Sequence, residues 1–170
     1  MQRTNRYLIL IAVCILALTG CTVKYSLSGA SIPLEAKTVS IAYFPNNAPM
    51  VAPILSPTLT DALQDRFSRQ TRLQLVNENG DLAFEGEILN YTSVPTAISG
   101  NETAALNRLT ITVRVKFTNK YQPEFNYNRS FQAFADYDAN ILLQDAQNQL
   151  IEDIVKQLVD DIFNEAVSNW

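Results

Sequence analysis

The sequence predicts an α+β domain with two helices packed on one face of a four- to five-stranded mixed or antiparallel sheet. Three observations carry this. Arg108 to Thr118 alternates strictly between apolar and polar residues. Leu142 to Val167 repeats its apolar residues at three- and four-residue spacing. The order strand, helix, strands, helix favours helices layered on one side of a sheet.

The first twenty residues read as an address. Arg3 and Arg6 precede an uncharged apolar run from Tyr7 to Leu18. A run of that length falls short of the roughly 20 residues a membrane span needs and has the layout of a secretory signal peptide. Leu18-Thr19-Gly20-Cys21 follows. It resembles the lipobox of bacterial lipoproteins, in which the cysteine is acylated and becomes the mature N-terminus. The resemblance implies a signal peptide over 1–20, a lipidated tether over 21–37 and a single domain over 38–170. Cys14 would leave with the leader, and acylation would consume Cys21, so no free thiol remains. Two acyl chains already give stable anchoring, at about 0.8 kcal/mol per buried CH2. Thr22 stands where an Asp would signal retention at the inner membrane, and no acidic run follows. The expectation is an outer-membrane protein on the periplasmic face.

Thr38 to Phe44 alternates with Val39, Ile41 and Tyr43 on one side, the pattern of a strand. Pro45, Pro49, Pro53 and Pro57 exclude a helix interior there. The same loop carries Met50, Val51, Ile54 and Leu55, more apolar surface than a solvated loop needs. These four are candidate partner contacts. Ser56-Pro57 reads as an N-cap with Pro at the first helical position. Leu59, Ala62, Leu63 and Phe67 then mark one helical face. Arg72 to Val76 and Leu82 to Tyr91 read as strands joined into a hairpin by Asn77-Glu78-Asn79-Gly80-Asp81. Thr92 to Asn107 reads as a polar loop. In the next strand Leu109, Ile111, Val113, Val115 and Phe117 share one face. Tyr127 to Tyr137 is its expected partner, with a bulge suggested where Phe131 and Phe134 break the alternation.

Chemistry is excluded more firmly than it is suggested. The chain has 170 residues, no histidine and a net charge of −4. That removes His-based triads and His metal ligands, and the acidic balance speaks against nucleic acid. No cofactor or metal is expected, and no catalytic constellation is found. Glu152-Asp153 and Asp160-Asp161 are adjacent on a helix and diverge rather than converge on a cleft. Arg108, Arg114 and Lys116 alternate along one strand, with Arg129 on its expected partner. This stripe fits either an ordinary ion-paired sheet face or recognition of an anion such as a lipid phosphate.

Several blocks resemble the LPS-assembly lipoprotein family LptE, in its Bacteroidetes-type branch. They are Leu27-Ser28-Gly29-Ala30-Ser31-Ile32-Pro33, Thr38 to Phe44, Leu75 to Leu82, Gly100 to Ile111, Lys116-Phe117-Thr118-Asn119 and the last helix to Asn169-Trp170. The resemblance implies a non-enzymatic lipoprotein. It would plug, and help to assemble, an LPS-translocating outer-membrane β-barrel of the LptD type. It also implies contact with LPS through basic strand residues, for which Arg108, Arg114 and Lys116 are the counterparts by strand type. The other reading is an accessory subunit of a different envelope complex.

Overall fold

The computed structural model describes residues 32–96 and 105–167. The leader, Cys21, most of the tether, the Gly100 segment and Trp170 lie outside them. The elements are β1 (Thr38–Ile41), α1 (Leu55–Gln70), β2 (Gln74–Val76), β3 (Leu82–Pro95), β4 (Leu106–Asn119), a 3₁₀ turn (Pro123–Phe125), β5 (Tyr127–Asp138) and α2 (Leu143–Val167). The five strands form one mixed sheet in the order β2-β1-β3-β4-β5. β1 runs parallel to both neighbours, while β3–β4 and β4–β5 are antiparallel.

Alternation in β4 works as its sequence predicts. Leu109, Ile111, Val113 and Val115 are fully buried on the helix side. Leu55, Leu59, Leu63 and Phe67 of α1 and Ile151, Ile154, Leu158 and Ile162 of α2 lie over them, also fully buried. Removing such surface from water is worth about 1.5–3 kcal/mol per side chain. An aromatic row crosses the layer: Phe163 meets Phe67 at 5.0 Å between centroids, Phe67 meets Phe84 at 4.7 Å, and Phe84 meets Phe117 at 4.8 Å.

The expected hairpin between β2 and β3 does not form. Both strands flank β1 in parallel, so the chain must cross β1 between Val76 and Leu82. Three residues make the crossing. Asn79 adopts φ 56°, a left-handed conformation Asn tolerates. A Cβ on Gly80 would collide with the Ser40 backbone nitrogen and lie 2.7 Å from the Leu82 carbonyl oxygen. Asp81 then takes hydrogen bonds from Lys37 N at 3.0 Å, Thr38 N at 3.2 Å and Thr38 Oγ1 at 3.0 Å. A turn-rich pentapeptide serves a hairpin and a crossing equally well, so local sequence could not separate them.

Those bonds, the Lys37 amide first, hold the Asp81 carboxyl below the ordinary carboxylate range. A lowered folded pKa gives stability that is present above the unfolded value and lost as pH falls through the folded one. Asp81→Asn should therefore cost about 1–2 kcal/mol at pH 7. Its deficit against the parent should shrink towards about pH 3. Denaturant melts at the two pH values check both statements.

Four further expectations are corrected. The bulge sits in β3, between Ile88 and Asn90, and the β4–β5 register is unbroken. Phe134 simply points to the open face, where it is exposed. The expected polar loop from Thr92 to Asn107 is shorter, because β3 runs on to Pro95 and β4 begins at Leu106. In β1 the alternation breaks after Ile41, and Phe44 is buried in place of the exposed Tyr43. Ser56 is not an N-cap. The helix begins at Leu55 after an Ile54 cap with no side-chain bond, and Pro57 falls in the first turn, where no N–H is needed.

Candidate functional site: the open sheet face

β4 has a covered face and an open one. Register sets the open face as five rungs across β3, β4 and β5: Glu85–Lys116–Asn128, Glu87–Arg114–Ser130, Asn90–Thr112–Gln132, Thr92–Thr110–Phe134 and Val94–Arg108–Asp136. Directly opposed side chains in an antiparallel pair lie close enough to interact. Here they do so by charge. Arg108 Nε and Nη2 donate to Asp136 Oδ1 and Oδ2 at 2.7 and 2.8 Å. Arg114 Nε and Nη2 donate to Glu87 Oε1 at 3.1 and 2.5 Å. Lys116 Nζ donates to Glu85 Oε2 at 2.9 Å. Arg129 is not on this face: it stands opposite Val115 on the helix side of β5, where it donates to Glu165 on α2 at 2.6 Å.

The anticipated basic stripe is thus a charge-balanced wall. The ion-paired form of the sheet face is the one observed. Asn47 Nδ2 adds a 2.6 Å bond to Glu87 Oε2, and this bond, with Arg114, holds the Glu87 carboxyl low. Arg108 likewise holds Asp136 low, and its guanidinium stacks over the Phe134 ring at 3.7 Å. One planar contact and one bidentate bond hold the Arg108 guanidinium from two directions.

The structure brings Arg114 and Lys116 to adjacent rungs, beside a shallow pocket with Pro45, Gly86 and Asn128. Arg108 lies three rungs away from Arg114, about 20 Å along the strand. One phosphate therefore reaches Arg114 and Lys116 together but not all three. Glu85, Glu87 and Asp136 are site residues that sequence alone does not single out. Their alternation with Phe84, Gly86 and Ile88, or with Ala135 and Tyr137, was the available signal, but it needed the pairing to become meaningful.

Met50, Val51 and Ile54 are exposed at the end of the domain away from the start of β1. Leu142 joins Met50 and Val51 around a pocket of about 360 Å³. Leu55 is a correction: it has no exposed surface and belongs to the core, so it offers nothing to a partner. The first turn of α1 points it inward, one residue after Ile54.

Fold and face together define a small α+β domain that presents a charge-balanced polar wall. Among the described residues, no group of His, Cys, Asp or Glu is gathered to hold a metal ion. The sequence matches the family model LptE, described as lipopolysaccharide-assembly, over residues 36–166, and the chain belongs to that family. It is accordingly an envelope-associated lipoprotein of LPS assembly and not an enzyme. No curated protein matches it in sequence. Among solved structures it is similar to a protein from Xanthomonas campestris at 11% identity and TM-score 0.51, covering 78% of this chain and 85% of that one. That likeness supports the fold. It is also similar to a minor lipoprotein from Acinetobacter baumannii at 19% identity and TM-score 0.48, covering 78% and 97% of the two chains. The rare lipoprotein B of Shewanella oneidensis is similar at 13% identity and TM-score 0.48, covering 75% and 92%.

Proposed function

We propose that this chain is an outer-membrane lipoprotein, held on the periplasmic face by acyl chains on Cys21. In this role it plugs and helps assemble the LPS-translocating β-barrel of the LptD type, and so takes part in LPS export. The observation that carries the reading is the open face, whose cations are each matched by a carboxylate. A barrel lumen is polar and wet. A wall of paired charges and Thr, Asn and Gln side chains enters such a lumen without leaving an unpaired charge against it. The Bacteroidetes-type assignment rests on the sequence blocks alone.

The tether joins at the end where β1 begins. Met50, Val51 and Ile54 stand at the opposite end and, in this reading, meet the barrel wall. Affinity isolation of the tagged, lipidated chain from solubilised outer membrane tests the assignment. A barrel in stoichiometric amount supports it, and an isolate without one rejects it.

Direct LPS contact through Arg114 and Lys116, with Arg108 as a separate point, would be an exchange reaction. A phosphate must displace Glu87 and Glu85. Exposed ion pairs are worth only about 0–1 kcal/mol, so a doubly charged phosphate can compete. The Glu85→Gln/Glu87→Gln double variant should bind LPS severalfold more tightly than the parent. Arg114→Gln/Lys116→Gln should bind it more weakly. Unchanged LPS affinity in both would remove LPS from the list of ligands of this face. Titration of purified protein with LPS at fixed salt reads the difference.

A further inference from the structure

β5 closes the sheet at one edge, and the phase of its backbone is fixed. Ala139 N donates to Ala105 O at 2.9 Å, continuing the register in which Leu106 faces Asp138. Hydrogen-bonded and non-bonded pairs alternate along an antiparallel ladder. The odd-numbered residues of β5 therefore bond β4. Asn128, Ser130, Gln132, Phe134 and Asp136 turn their N–H and C=O groups outward. Gln157 of α2 agrees with this phase, since its Nε2 donates to the Phe134 carbonyl at 3.4 Å. Among the described residues, no other bond is made to those outward backbone groups.

Exposed edges are usually blunted by shortness, Pro, Lys or a bulge. β2, the other edge, is three residues long. β5 is twelve residues long, has neither Pro nor Lys, and keeps an unbroken register. Ser130 to Ala135 carries no charge at all. Beside this edge, α2 places Asp161 and Glu165 around a pocket of about 280 Å³ shared with Arg129, Phe131 and Asn164. Arg129 pairs with Glu165, and among the described residues Asp161 has no ion-pair partner.

We propose that β5 is a docking edge for one further strand, supplied by a different protein and carrying a basic side chain opposite Asp161. Main-chain bonds would give affinity and the pocket would give specificity, as in strand addition generally. A second copy is the poorer occupant, because edge-to-edge pairing would bring two acidic α2 flanks together. The inference rests on the backbone phase of β5 and not on the identity of the barrel.

Hydrogen exchange resolved to single amides tests it. The full-length lipidated protein is measured in detergent, alone and in the complex isolated from its membrane. Alone, the amides of Asn128, Ser130, Gln132, Phe134 and Asp136 should exchange fast between protected odd-numbered neighbours. In the complex they should slow by about tenfold or more, erasing the alternation. Gln132→Pro removes an outward N–H that the fold does not use and should abolish that gain. Asp161→Lys, on the solvated helix flank, should weaken it severalfold even if the proline variant folds poorly. Fast exchange of the five amides in the complex would overturn the proposal. So would protection already present in the isolated protein, which would point to a second copy if concentration-dependent and to the chain's own residues 22–31 or 97–104 if not. Isolation with no stoichiometric protein would overturn it too. A non-barrel partner that erases the alternation would keep this proposal while rejecting the assignment to LPS export.

Discussion

Gly86→Ala should destabilise the domain strongly. Gly86 faces the helix layer from the middle of β3, paired with Val115. A Cβ there would collide with the Arg114 carbonyl oxygen and lie 2.5 Å from Phe44 Cε1. Phe44 is fully buried and fills the space the missing side chain leaves. Its own backbone N–H donates to Thr60 Oγ1 on α1 at 3.2 Å, so the ring cannot retreat without loosening the first helix. Overpacking of this kind costs about 3 kcal/mol when a backbone atom is among the obstacles. For a domain of this size the melting temperature should fall by roughly 10 °C. Thermal melts followed by circular dichroism measure it. Phe44→Leu in the Gly86→Ala background should restore part of the loss, although Phe44→Leu alone is destabilising. That sign reversal marks coupling between the two sites. A melting temperature within about 2 °C of the parent would mean that Phe44 does not hold β3 at this point.

Cys21→Ala should abolish anchoring. The expected product of the parent chain begins at Cys21 and carries several acyl chains. Each buried CH2 contributes about 0.8 kcal/mol, so losing even one long chain lowers membrane partitioning by orders of magnitude. The variant should appear in the soluble periplasmic fraction, with the intact-mass increment of the acyl groups gone. It should also recover less barrel complex, because tethering raises effective concentration without adding a contact. Retention of the variant in the membrane at the parental level would show that another segment anchors the chain.

The layers were legible in the sequence because two periods dominate. The strict alternation from Leu109 to Phe117 and the three- and four-residue spacing from Leu143 to Ala166 each identify one buried face without knowledge of the partner. The sheet order was not legible. Asn77 to Asp81 has the composition of a hairpin turn, and only the long-range bonds from Lys37 and Thr38 to Asp81 turn it into a crossing over β1. Leu55 shows the same limit on a smaller scale. Next to Met50, Val51 and Ile54 it looks like one more loop apolar residue, yet one step into α1 rotates it into the core.

The site was half legible for a related reason. Arg108, Arg114 and Lys116 were visible as one stripe, because strand periodicity alone places them together. Their partners Glu85, Glu87 and Asp136 lie on other strands. Whether a stripe is basic or balanced depends on which residues stand opposite, and that is decided by register. The polar rungs between them, such as Thr110 and Thr112, carried no signal of their own.

If this domain works inside or against an outer-membrane barrel, a photocrosslinking side chain placed at Met50, Val51 or Ile54 of the lipidated chain in its own membrane should reach that barrel. Covalent capture of a large LPS-translocating β-barrel from these positions, and not from Lys156 on the outer flank of α2, is the predicted result. Capture of the barrel only from the helix flank would reverse the orientation of the domain, and absence of any barrel from all positions would contradict a role inside or against a barrel.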